Sequence, residues 1–91
     1  MLTLKTILAQ PNHDAARLLH VRLCHDNVAL MDAIKSTTTL RDSWLLSFRR
    51  QLLDGRKLSV LQLRVARRRI KPYCLSLVVR LRHNVQLTAA H

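Results

Sequence analysis

Arg64, Arg67, Arg68, Arg69 and Lys71 fall within eight residues of one another, in the stretch RVARRRIKPY. The chemistry open to such a cluster is the binding of anions. A guanidinium is planar, permanently charged and forked, so it meets phosphate oxygens two at a time. The same charges on a soluble protein can also be nothing more than a solvated face. Three features favour the first reading. Arginine outnumbers lysine twelve to four, glutamate is absent, and the acids are five aspartates.

The third feature is placement. Residues 1–45 carry five bases (Lys5, Arg17, Arg22, Lys35 and Arg41) against four aspartates, whereas residues 46–91 carry eleven bases against Asp54 alone. Such asymmetry points to a polyanionic partner. A surface evolved only for solubility mixes both signs. The candidate contact residues are Arg49, Arg50, Arg56, Lys57, Arg64, Arg67, Arg68, Arg69, Lys71, Arg80 and Arg82. The lack of glutamate also fits a bias at the nucleotide level.

Other chemistry finds little support. With a single glycine, no glycine-rich phosphate loop can form. Ser, His and Asp occur without a local catalytic signature, and a short chain has little room for a deep pocket, so no enzyme and no cofactor are expected. His20 and Cys24 stand one helical turn apart with His25 beside them, but a closed zinc site needs four ligands. The rest would have to come from His13, His83 or Cys74, and no metal is expected. Cys24 and Cys74 match no redox or metal spacing and read as free thiols in a reducing compartment. No apolar run approaches a membrane span, and the start lacks a signal-peptide pattern, so an intracellular setting is expected.

The elements that must carry these residues come from periodicity. Ninety-one residues suit one domain, near-neutral over 1–55 and strongly basic over 56–91. Pro11 ends a short opening helix or strand. Ala16, Leu19, Leu23, Leu30 and Ile34 then share one stripe, predicting a helix from about 14 to 35 with Asn12 or Asp14 capping its start. Leu18, Val21, Cys24, Val28 and Met31 lie off that stripe, more apolar surface than a monomer needs. Thr39 and Asp42 have capping-box spacing before a second helix, about 40–53, with Leu45, Phe48 and Leu52 inward and Gly55 as its stop.

After Gly55 the period shortens. From Tyr73 the odd positions are mainly apolar and the even ones mainly polar, which fits a half-buried strand slightly better than a helix with Tyr73, Leu77, Leu81 and Val85 inward. Leu61, Leu63 and Val65 alternate too, and Pro72 supplies a turn between the two runs. The expected fold is therefore α+β, two helices followed by a basic β-hairpin of about 58–67 and 73–82. The alternative is all-α, with four short helices. A hairpin puts Arg67, Arg68, Arg69 and Lys71 at its tip and Arg64, Arg80 and Arg82 along its solvent face. By element order alone, this resembles the winged-helix style of DNA binding.

The expected function is that of a small nucleic-acid-binding protein, a ribonucleoprotein subunit or DNA-binding regulator, gripping the phosphates of RNA or DNA. Scarce aromatics offer no platform for stacking bases and favour a duplex or folded RNA. The alternative is a regulatory or interaction subunit that dimerises, or docks its leucine-rich helices onto an acidic partner within a larger assembly.

Overall fold

In the computed structural model, which describes residues 3–89 and side chains as far as Asn84, helix replaces strand throughout the basic half. The order is α1 Leu4–Leu8, α2 Asn12–His25, α3 Asn27–Ser36, α4 Ser43–Leu53, α5 Val60–Arg69, a 3₁₀ turn Lys71–Tyr73, and α6 Cys74–Ala89. The expected hairpin at 58–67 and 73–82 is therefore wrong, and with it the α+β class and the winged-helix outline. The all-α alternative fits, with six helices in place of four.

Burial shows why the alternation misled. Cys74 and Val78, both on the polar side of the expected strand, are buried, as is Leu77, and Leu81 packs partly against them. These four stand at i, i+3, i+4 and i+7, the stripe of a helix lying on a core. Leu75 and Val79, which a strand would turn inward, are 40% and 54% exposed. Pro72 sits in the short 3₁₀ turn at the entry to α6, where a missing N–H costs nothing. Val85, Leu87 and Thr88, the last of the alternating residues, have side chains outside the described residues.

The first long helix also divides. Asp26 is extended (φ −139°, ψ 98°), and its carboxylate accepts from the Ala29 amide at 3.0 Å, capping α3. A short acid side chain competes well for backbone amides and so starts a new helix instead of continuing the old one. The stripe still holds, since Leu19, Leu23, Leu30 and Ile34 are all buried. Pro11 occupies the cap position of α2, so neither Asn12 nor Asp14 serves there. Of the off-stripe residues, Leu18 and Met31 pack partly against the core, whereas Val21 and Val28 are exposed.

α4 and α5 form an antiparallel helical hairpin. Gly55 ends α4 at φ +83°, with its amide on the Leu52 carbonyl and the Arg56 amide on the Gln51 carbonyl, a Schellman stop. Ser59 and Gln62 form a capping box at the start of α5. The Gln51 and Gln62 side-chain amides bond each other reciprocally at 3.1 and 2.9 Å, and Gln51 Nε2 also donates to the Lys57 carbonyl at 2.8 Å. Phe48 and Leu45 from α4, with Leu63, Ala66 and Ile70 from the α5 segment, fill the core beneath.

Candidate nucleic-acid interface

The eleven candidate bases separate into two groups. Five are tied into the fold. Arg49 Nε donates to the Lys35 carbonyl at 3.1 Å, and Arg80 donates to the Ser36 carbonyl, so two cations sit on the last carbonyls of α3. Those carbonyls have no partner within the helix and carry the negative end of its dipole. Arg82 does the same for α1, donating from Nε to the Leu8 carbonyl at 3.0 Å and from its other nitrogens to Gln10 O and Asn12 Oδ1. Arg67 bridges to Asn27 Oδ1 at 2.8 Å and accepts at its carbonyl from His20 Nε2 at 2.7 Å, while its own Nε is buried without a partner. Arg69 pairs with Asp42 at 2.7 Å.

The other six are Arg50, Arg56, Lys57, Arg64, Arg68 and Lys71, all exposed on the α4–α5 hairpin or the turns at its ends. Arg56 reaches Asp54 only at 4.0 Å. Arg50, Lys57, Arg64, Arg68 and Lys71 have no ion pair or side-chain hydrogen bond among the described residues. The expected hairpin tip is thus corrected residue by residue. Arg67 is partly buried against Asn27, Arg69 is exposed but paired with Asp42, and only Arg68 and Lys71 of that set are both exposed and unpaired.

Arg64 and Arg68 stand one turn apart on α5 and line a shallow groove of about 230 Å³ together with Trp44, Val65 and Arg69. Trp44 is 51% exposed, and its ring is braced by buried Phe48, with centroids 6.1 Å apart and planes tilted by 48°. The sequence reading did not place Trp44 at the site. The signal was available in Asp42, which is itself the cap of α4. Its carboxylate accepts from the Trp44 and Leu45 amides at 2.9 and 3.1 Å, and Thr39 takes no part in the cap. That start sets Leu45 and Phe48 inward and leaves Trp44 at the rim.

A clamp closes this end of the groove. The Tyr73 hydroxyl accepts from the Arg41 and Asp42 amides, each at 3.1 Å, while Arg69 holds the Asp42 carboxylate. Burial pushes the Asp42 carboxyl up, but the Arg69 hydrogen bond, the Leu45 amide, the Arg69 charge and the Trp44 amide outweigh it, holding the group below its ordinary value of 3.8. Replacing Asp42 by alanine removes a helix cap that is worth roughly 0.5–2 kcal/mol. A half-exposed ion pair adds about 1 kcal/mol at most. Because the folded state holds this proton more weakly than the unfolded state, the contribution is present above pH 3.8 and fades as pH falls below it. Thermal unfolding of wild type and D42A should therefore differ at pH 7 and draw together as pH falls through and below 3.8; a gap independent of pH would rule out the carboxylate as its source.

Other titratable groups hold structure. Cys24 and Cys74 are free thiols, and burial pushes Cys74 up to about 11, with Cys24 nearby adding to the shift. The Cys24 sulfur lies 3.6 Å from His20 Nε2, whose main bond goes to the Arg67 carbonyl. Among the described residues no three of His, Cys and Asp gather in a way that could hold a metal ion. A second concavity, about 330 Å³ between α2, α3 and α6, is walled by leucine and alanine with Arg22, Asp32 and Ser36 as its polar groups. Among the described residues, no helix is long and apolar enough to cross a membrane.

What fold and surface define is a small all-helical protein with an arginine-lined helical hairpin. No protein-family model, curated protein or solved structure matches the chain.

Proposed function

We propose that this chain is a small, non-enzymatic nucleic-acid-binding protein that grips phosphates through its α4–α5 hairpin, acting inside the cell without a cofactor. The observation that carries the reading is the division of its bases. Five arginines are engaged as internal links, while Arg50, Lys57, Arg64, Arg68 and Lys71 remain exposed and unpaired around one supersecondary unit. Holding so many like charges together, with only Asp42 and Asp54 beside them, is a cost to the isolated fold, and a polyanion relieves it. Exposed charges at the solvent end of rigid helices suit phosphate contact, which positions a protein without reading bases.

Counterion release gives the test. If five bases each neutralise one phosphate, the slope of log affinity against log salt is near −4 to −5 on duplex DNA. A fluorescence-anisotropy titration with a labelled duplex at several salt concentrations reads it directly. A flat slope, or no micromolar binding at low salt, overturns the proposal.

A second reading keeps one specific support. Leu53, Val60 and Leu61 at the closed end of the hairpin are 57%, 75% and 69% exposed, an apolar patch that suits a second copy or a protein partner. Light scattering during size exclusion separates the two, since a monomer that binds DNA leaves only the first.

A further inference from the structure

We infer that the groove between α4 and α5 takes one unpaired base of a single-stranded nucleic acid, stacked on Trp44, with Arg64 and Arg68 on the neighbouring phosphates. The inference rests on the proposed phosphate-binding role and adds a substrate class, namely a single strand or an unpaired loop in place of a uniform duplex.

Trp44 is half-exposed, and its ring packs on buried Phe48, which leaves part of the indole open to the groove. Exposed indoles on rigid helices are the usual anchors of binding surfaces. The wall opposite is cationic. Arg64 and Arg68 lie one turn apart on α5, and both have free guanidiniums. The third arginine, Arg69, is neutralised by Asp42, which in turn caps the helix that carries Trp44. The ion pair therefore fixes the groove's end while two charges remain for a ligand.

Size narrows the occupant. At about 230 Å³ the groove is small beside the 300–1,000 Å³ of most small-molecule pockets, a size that suits a single flat ring laid on Trp44. A planar π-face beside two unpaired cations is the pairing that single-strand binders use, stacking for the base and charge for the backbone. A duplex keeps its bases stacked on each other and has none to offer.

Trp44 is the sole tryptophan, so it reports its own contact. Intrinsic fluorescence is titrated with an oligothymidylate and with a duplex of equal length at the same salt. The single strand should quench the emission, and the duplex should leave it nearly unchanged. By anisotropy with a labelled strand, W44L should bind oligothymidylate on the order of ten- to a hundredfold more weakly, and lose far more affinity for the single strand than for the duplex. W44F, which keeps a ring, should fall between, and matching far-UV circular dichroism shows that both variants fold. Unquenched emission on a bound single strand, or equal single-strand affinity of W44L and wild type, overturns the base site but leaves phosphate binding standing. Absence of binding to either nucleic acid at low salt removes the phosphate-binding role, and the base site with it. Quenching by polyglutamate but not by oligothymidylate also overturns the inference, giving the groove to an acidic protein.

Discussion

Val78→Asp is expected to unfold the protein at neutral pH, while Val79→Asp leaves it folded. Val78 is fully buried and its neighbour Val79 is 54% exposed. The first change removes a buried aliphatic side chain, worth about 1.5–3 kcal/mol. It also places a carboxylate where no partner waits, which adds several kcal/mol. A domain of this length has roughly 5–14 kcal/mol in total, and small domains lie towards the low end. The second change puts a charge in water on a helix surface, where effects stay within about 0.5 kcal/mol. Far-UV circular dichroism with urea unfolding reads both. The reverse pattern would mean that the chain forms the strand its alternation suggests, because a strand turns Val79 inward and Val78 outward.

That pair of residues also marks where the fold was legible in the sequence. In the first half, Leu19, Leu23, Leu30, Ile34, Leu45 and Phe48 fall on helical stripes and are buried as the spacing requires. Gly55 stops α4 for the reason its backbone freedom suggests. In the second half the window Tyr73–Leu81 is apolar at both periods, since Cys74 and Val78 fill the gaps that a clean strand would leave polar. Valine's preference for strands is a preference for half-buried pleated surface, not a backbone instruction. α6 packs chiefly against α2, and helical spacing puts Cys74, Leu77, Val78 and Leu81 on its buried side. Helix breaks were harder to read because Asp26 and Asp42 act as caps through their own side chains, and an aspartate in a sequence looks the same whether it caps or is solvated.

The site was legible as a charge total and not as a geometry. Arg68 looks like Arg67 and Arg69 in sequence, yet Arg67 meets Asn27 on one side of α5, Arg69 meets Asp42 on another, and Arg68 between them meets no partner. Arg80 and Arg82 looked like solvent-facing neighbours of a strand; they serve as caps for α3 and α1 instead, across sequence separations that no local pattern reveals.

The division predicts two classes of arginine variant. The combined change R50Q/R64Q/R68Q/K71Q removes four of the five exposed unpaired bases and no internal bond. On the proposed phosphate-binding reading, each lost contact lowers the magnitude of the salt slope by about 0.9, so the slope on duplex DNA should fall from about −4.5 to about −1. At 0.1 M salt the affinity should drop on the order of 10³-fold, by the same counterion-release relation. Thermal stability should hold or rise slightly, since like charges are removed from a basic surface. R49Q and R80Q form the opposite class. Each strips a cation from the α3 carboxyl end, a bond to a charged donor that is worth roughly 1 kcal/mol at partial exposure. Those two variants should melt a few degrees lower and keep the wild-type salt slope. Anisotropy and melting curves on the same preparations separate the classes. If the four-base variant keeps its slope while R49Q and R80Q lose theirs, phosphate contact lies at the α3 end of the protein and not on the α4–α5 hairpin.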